Sequence, residues 1–180
     1  MFGRKKAKRE TADALYQGIS RKGDPSKGTP AQMVAAGENV LGSKKALAER
    51  LGVSERTVQR WASGESKPRF GNARKLKGFV RNDPDMRRAQ LSSLREARIR
   101  NQGSKVKAKG EMGVRAAGKK YRRNREIEAE LSGDAMSEIM ERWLEGDDAG
   151  ALEALNEALG NEYVGGFELA DVLEGLEFPR

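Results

Sequence analysis

The stretch Ala46–Gly64, which reads ALAERLGVSERTVQRWASG, decides the fold of the first half of this chain. Gly52 divides it, and a glycine tolerates the positive φ that a tight turn between two helices needs. Ser54 stands directly before Glu55–Ala62, and serine is a favoured residue for capping a helix N-terminus. The stretch therefore predicts a helix over Lys44–Leu51, a tight turn and a second helix over Glu55–Ala62.

The two predicted helices have the residues that a close crossing requires. Ala48 is small and lies four positions before Gly52. The apolar positions that would face the crossing are Leu47, Leu51, Val53, Val58 and Trp61. The outward positions of the second helix suit the reading of base edges, because arginine can bind guanine and glutamine can bind adenine through two hydrogen bonds. The predicted base-reading residues are Glu55, Arg56, Thr57, Gln59 and Arg60.

Residues 30–80 around this stretch resemble the helix-turn-helix of lambda-repressor-like bacterial regulators, which implies binding of double-stranded DNA. Thr29 and Pro30 predict the start of a helix that passes through Met33–Ala36 and ends near Gly37, and Lys67–Val80 predicts a further helix. Flanking polar and cationic residues are predicted to contact phosphates. These are Lys44, Lys45, Ser54, Lys67, Arg69, Arg74 and Lys75.

Charge is distributed unevenly along the 180 residues. Residues 1–125 hold 33 Lys and Arg against 11 Asp and Glu, a net of +22, while residues 126–180 hold 2 against 16, a net of −14; together they give +8. This predicts a front half that binds a polyanion and an acidic rear half. The chain has no Cys and no His, which excludes disulfides and zinc fingers, and we expect no metal site, no cofactor and no enzymatic activity. No apolar run is long enough to span a membrane, so we expect a cytoplasmic protein on the bacterial nucleoid.

Composition divides the chain into four predicted segments. Residues 1–28 are expected to be a basic flexible arm, with a short helix over Thr11–Ile19, and residues 29–81 the helix-turn-helix domain. Residues 82–102 are expected to be a basic connector helix centred on Met86–Arg100. Residues 103–180 are expected to form a small α+β domain, so the predicted fold class is mostly α with a C-terminal α+β part.

The α+β domain is predicted from changes in apolar periodicity. Alternation predicts strands over Ser104–Val114 and Arg125–Leu131, joined by a basic loop over residues 115–125. Helices are predicted over Ala135–Leu144 and Ala149–Leu159, and Gly166–Phe178 fits a strand or a short helix, with the strand preferred. A second basic patch is predicted at Lys105, Lys107, Lys109, Lys119, Lys120, Arg122 and Arg123.

The order of these parts resembles the telomere terminal proteins of actinomycete linear chromosomes and plasmids. The motif Leu51–Arg60, an Arg-rich helix, a basic strand over Gly103–Gly113 and an acidic part over Ile127–Phe178 carry the resemblance. It implies a role in replicating the end of a linear replicon, and covalent attachment of DNA to a side-chain hydroxyl just after the residue matched by Gly113. No hydroxyl stands at residues 114–117, so this chain departs from the pattern there.

The nearby hydroxyls are Tyr121 and Ser104, and either is a candidate for the priming residue. For Tyr121, an aromatic anchor or a stacking contact with DNA is favoured over priming.

Two functions stay open at this point. One is a terminal protein whose partners are double-stranded DNA and a telomere-associated replication protein or polymerase. The alternative is a helix-turn-helix transcription regulator of a plasmid, phage or other mobile element, in which the α+β domain serves homodimerisation or binds an effector.

Overall fold

The computed structural model describes residues 2–116, 119–162 and 167–179. Side chains are described for these residues except 2–10, 115–116, 119–120, 122, 168 and 170–172. The chain divides into two compact units. Unit A contains Gly23–Gln90 and Leu144–Gly146, and unit B contains Met1–Lys22, Leu91–Trp143 and Asp147–Arg180.

In chain order, the helices and strands are α1 (Phe2–Ser20), α2 (Pro30–Leu41), α3 (Lys44–Leu51), α4 (Glu55–Ala62), α5 (Phe70–Asn82), α6 (Pro84–Gln90), α7 (Ser93–Gln102), β1 (Ser104–Ala116), β2 (Lys119–Leu131), α8 (Gly133–Leu144), α9 (Asp148–Glu162) and β3 (Phe167–Glu177). A short 3-10 helix precedes α2 at Pro25–Lys27. The predicted fold class is confirmed: a mostly helical chain with a helix-turn-helix domain in its N-terminal part and a small antiparallel sheet in its C-terminal part.

Unit A is a bundle of short helices around one apolar core. Thr29 accepts a hydrogen bond from the backbone N–H of Gln32 and so caps α2, as the sequence predicted. The predicted stop at Gly37 is wrong, because α2 continues to Leu41 and ends at Gly42. Gly37 is instead a packing position, since a Cβ there would lie 2.9 Å from Cδ1 of Leu47.

The helices after α4 also belong to this core. α5 begins at Phe70 rather than at Lys67, and it contributes Leu76, Phe79 and Val80. Met86 of α6 is fully buried in the same core, so unit A extends past the predicted boundary at residue 81. Asp83 and Pro84 therefore turn the chain between two packed helices; they do not end the domain.

Unit B is built around a three-stranded antiparallel sheet with β1 between β2 and β3. β1 and β2 pair along their whole length, from Ser104 opposite Leu131 to Ala116 opposite Lys119. The basic loop predicted over residues 115–125 is therefore wrong, because all of them that are described lie in strands. The alternation is hidden there because exposed polar side chains occupy both faces of β2 from Arg123 to Glu126. The preferred strand after residue 166 is confirmed by β3.

Helices contact this sheet and bury its apolar residues. α1 contacts β3, and α9 contacts β2 and β3. Leu15, Tyr16 and Ile19 of α1 are buried, so the flexible arm predicted for residues 1–28 is corrected to a long helix. Gly18 allows the close approach, because a Cβ there would stand 2.6 Å from the carbonyl oxygen of Leu176.

The predicted connector helix over residues 82–102 is corrected to two helices. α6 ends at Gln90, and Ser92 caps α7 by accepting a hydrogen bond from the N–H of Arg95. A serine that bonds the backbone in this way favours a helix start over a helix interior. Arg95 then donates from its Nε to the carbonyl oxygen of Ile19, at 3.2 Å, within unit B.

Candidate nucleic-acid interface

The turn between α3 and α4 has the geometry that the sequence predicted. Gly52 adopts a left-handed conformation with φ of 67°. Its N–H donates to the carbonyl oxygens of Ala48 and Glu49, which ends α3. Ser54 then accepts a hydrogen bond from the N–H of Thr57 and caps α4. The turn is thus held by backbone hydrogen bonds at Gly52 and by a side-chain cap at Ser54, which fixes where α4 begins.

The inner face of α4 is anchored in the core of unit A. Val58 is fully buried and Trp61 is 3% exposed. They pack in one cluster with Leu47 and Ala48 of α3. Removal of a buried tryptophan of this kind costs about 3–5 kcal/mol in other proteins, so the orientation of α4 about its own axis is strongly constrained.

The outer face of α4 is polar and exposed. Gln59 and Arg60 lie three and four residues after Arg56, so both neighbour Arg56 on one side of the helix. Nε2 of Gln59 donates to Glu55 at 3.1 Å, and Nε of Arg60 donates to Glu65 at 2.9 Å. Thr57 is half-buried, and its hydroxyl lies 2.8 Å from that of Ser54. Four of the five predicted base-reading side chains are therefore presented outward together.

Residues 41–77 match a protein-family model described as helix-turn-helix. This segment is a DNA-binding helix-turn-helix. The match confirms the predicted resemblance for this part of the chain, and with it the binding of double-stranded DNA. It covers 37 of the 180 residues. Comparison with curated proteins and with solved structures found no match.

The predicted phosphate-contacting residues fall into two groups. Lys45, Lys67, Arg69, Arg74 and Lys75 are exposed. Lys44 forms an ion pair with Glu38, with Nζ 2.8 Å from Oε2. Lys75 also donates to the carbonyl oxygen of Leu51, at 3.3 Å, and Ser54 is engaged as the cap of α4. Of the exposed members, Lys45 lies in α3 and the others follow α4 in the sequence. Together they would give a salt-dependent attraction to DNA.

The second basic patch does not form one surface, because alternate residues of a strand point to opposite faces. Lys105, Lys107 and Lys109 lie on one face of β1, opposite Glu130, Glu128 and Glu126 of β2. Nζ of Lys105 lies 2.5 Å from Glu128, and Nζ of Lys107 lies 3.1 Å from it. Arg123 points to the other face, while the side chains of Lys119, Lys120 and Arg122 lie outside those described.

Pairing across the two strands shifts the pKa values of Glu128 and Lys105. Hydrogen bonds from Lys105, then from Lys107, hold the pKa of Glu128 below its ordinary value. The hydrogen bond to Glu128 raises the pKa of Lys105 in turn. The lysine face is therefore charge-compensated, which sequence reasoning missed. The signal was present, since Glu126, Glu128 and Glu130 alternate in the same way as the three lysines.

The two candidate priming hydroxyls have different surroundings. Ser104 is half-buried, and its Oγ lies 3.1 Å from the carbonyl oxygen of Lys105 and 3.3 Å from that of Pro179. Tyr121 lies in β2 and is 55% exposed. Of the two, Tyr121 is the one presented to solvent.

Within the described residues, no group of three or more acidic side chains is arranged to hold a metal ion. None of the described helices combines the length and the apolar character needed to cross a bilayer.

Proposed function

We propose that this chain recognises a specific duplex DNA site through the outer face of α4. The observation that carries the proposal is the side-by-side exposure of Arg56, Gln59 and Arg60 on a helix whose opposite face is buried. Arginine can donate two hydrogen bonds to guanine in the major groove, and glutamine can pair with adenine. Thr57 and Glu55 complete the predicted reading set from the first turn of the helix.

Exposed cations position this helix on the duplex. Lys45, Lys67, Arg69, Arg74 and Lys75 contact phosphates, which sets the register of α4 without reading sequence. We assign the protein to the bacterial nucleoid in the cytoplasm, where such a site would be found.

We further propose that the bound site lies at the end of a linear replicon and that the chain acts in its replication. The support is the order of parts in unit B. A strand begins after Gly103, and a second strand, two helices and the acidic strand β3 follow, as in the terminal proteins that the sequence resembles. A replication protein or polymerase is the expected protein partner.

A second candidate is a transcription regulator of a plasmid, phage or other mobile element. The observation that favours it is the sequence of residues 114–117, which has no hydroxyl where the terminal proteins attach DNA. In that case the chain would bind a palindromic site as a homodimer, with half-sites about one helical turn apart.

Selection of duplexes from a random pool, followed by titration of the recovered site, tests sequence recognition. We expect Arg56→Ala to weaken binding of the selected site by about 1–3 kcal/mol and to relax specificity at one base pair. Arg88→Ala, which removes one exposed cation from α6, is the charge-matched control. Equal loss on the selected site and on random DNA would show that Arg56 does not read bases.

Mapping of the protein on the DNA of its host separates the two candidates. The end-replication role predicts occupancy at chromosome or plasmid termini, whereas the regulator predicts internal palindromes near promoters. Protein recovered from DNA ends and treated with nuclease would show by mass whether a nucleotide stays attached. Occupancy confined to internal promoters would overturn the end-replication role.

A further inference from the structure

The outer edge of the sheet in unit B has an exposed segment that the helix-turn-helix does not explain. Among the strands that the structure describes, β2 pairs with β1 alone. From Ile127 to Leu131 its side chains alternate between buried and exposed, so one face is covered there. From Arg123 to Glu126 every side chain is exposed, and Tyr121 is 55% exposed. The covering of β2 therefore stops at Ile127, and the side chains described before it, those of Tyr121 and of residues 123–126, are open to solvent.

Three of these residues form one line along the strand. Tyr121, Arg123 and Arg125 are two positions apart, so they point to the same face, with a spacing of about 7 Å. Their partners on β1 are Val114, Met112 and Gly110. Gly110 has no side chain, so Arg125 has no cross-strand side chain beside it. We call Tyr121, Arg123 and Arg125 the edge line.

The edge line differs in charge from the opposite face of the same hairpin. On that face, Lys105 and Lys107 pair with Glu128, and Nζ of Lys109 lies 3.6 Å from Glu174. No described carboxylate forms an ion pair with Arg123 or Arg125. Their positive charge is therefore not compensated by a described neighbour, unlike the charge of the lysines.

We propose that the edge line binds a single-stranded segment of nucleic acid, with a base stacked on the ring of Tyr121 and phosphates held by Arg123 and Arg125. An exposed aromatic ring beside arginines in a row is the combination that single-strand binding surfaces use. Stacking needs the face of an unpaired base, which the interior of a duplex does not offer. This site goes beyond the proposed function, because it does not require that α4 read any base.

Fluorescence anisotropy of the full chain with a labelled 12-nucleotide oligo(dT) tests the site. We expect Tyr121→Ala to weaken binding by about 5- to 160-fold, the range that stacking of one base supplies, and Tyr121→Phe to retain it. In the Arg123→Ala/Arg125→Ala variant, the negative slope of log K against log salt should become shallower by about 1.4. The control Lys107→Ala/Lys109→Ala removes the same charge from the opposite face and should change affinity by less than about twofold.

The outcomes separate this site from the site on α4. Arg56→Ala/Arg60→Ala should lose the selected duplex and keep the oligo(dT). A wild-type chain that binds the selected duplex but not the oligo(dT) would overturn the edge line and leave the proposed function intact. Binding of the oligo(dT) without sequence-selective duplex binding would overturn the proposed function and leave the edge line intact. Equal losses in the two double variants would also overturn the edge line, because only overall charge would then matter.

Discussion

Nε of Arg60 lies 2.9 Å from Oε1 of Glu65, so the last arginine on the exposed outer face of α4 is held by a carboxylate from the turn that follows the helix. Both side chains are well exposed, at 48% and 64%. Ion pairs of this exposure contribute little to stability, in general about 0–1 kcal/mol. The pair therefore acts on the direction and charge of Arg60 more than on the folding of the domain.

Glu65→Gln is expected to tighten duplex binding by a few-fold, since it removes a negative charge beside the outer face of α4 and releases Arg60. Anisotropy titration with the selected duplex measures the change. In an Arg60→Ala background the gain should shrink, because the released partner is missing. A gain of the same size in both backgrounds would mean that Glu65 acts only through overall charge.

Gly37→Ala is expected to destabilise the protein by up to about 2 kcal/mol. The new Cβ would lie 2.9 Å from Cδ1 of Leu47 and 3.1 Å from Cε1 of Phe79, both in the core. Overpacking costs about 1–3 kcal/mol, and replacing a helical glycine by alanine gains roughly 1 kcal/mol, which leaves a net loss of up to about 2 kcal/mol. A fall in Tm by calorimetry checks the prediction.

Gly78 is the control for that substitution. It also lies inside a helix, α5, but a Cβ there would meet nothing within 4 Å. Gly78→Ala should therefore stabilise the protein by up to about 1 kcal/mol through helix propensity alone. If both variants raised Tm, the close approach at Gly37 would carry no energetic penalty.

Lys45→Ala and Lys44→Ala should differ in their effect on salt dependence. Lys45 is exposed, whereas Lys44 is paired with Glu38 at 2.8 Å. A plot of log K against log salt has a negative slope, and loss of one phosphate contact makes that slope shallower by about 0.9 for duplex DNA. We expect that change for Lys45→Ala and a smaller one for Lys44→Ala. Identical slopes for the two variants would contradict the assignment of Lys45 to a phosphate.

Lys105→Met/Lys107→Met should raise the pKa of Glu128 toward its ordinary value, because their hydrogen bonds hold it down. The pairing is present above the ordinary carboxyl pKa and is lost as the pH falls through the lowered one. A carbon-detected NMR titration of the carboxyl group follows this directly. Lys109→Met is the control, since Lys109 pairs with Glu174 instead. An unchanged Glu128 titration in the double variant would contradict the pairing of Lys105 and Lys107 with Glu128.

The turn and its two helices could be predicted from sequence because local chemistry determines them. Ser54 and Gly52 act on backbone groups within a few residues, so their identities sufficed. The role of Gly37 could not be predicted in this way. A glycine after Ala36 predicts the end of a helix. Only the packing of Leu47 against Gly37 shows that α2 continues there and passes close to α3.

The second basic patch shows the same limit in a sheet. The residue types of β1 and β2 were evident, but their register was not, and register decides which charges meet. With Lys107 opposite Glu128, the lysines are compensated, and the arginines at 123 and 125 point to the other face. The sequence alone predicts one patch that contains both Lys107 and Arg123, because it does not show that their side chains lie on opposite faces.

The close approach of Gly18 to Leu176 sets an order of events during synthesis. α1 precedes unit A in the chain, whereas β3 follows it, so most of unit A leaves the ribosome before α1 meets its partner strand. At about 5–20 residues per second, that wait is on the order of 10 s. The DNA-binding helices can therefore be complete on a nascent chain while α1 still exposes Leu15 and Ile19.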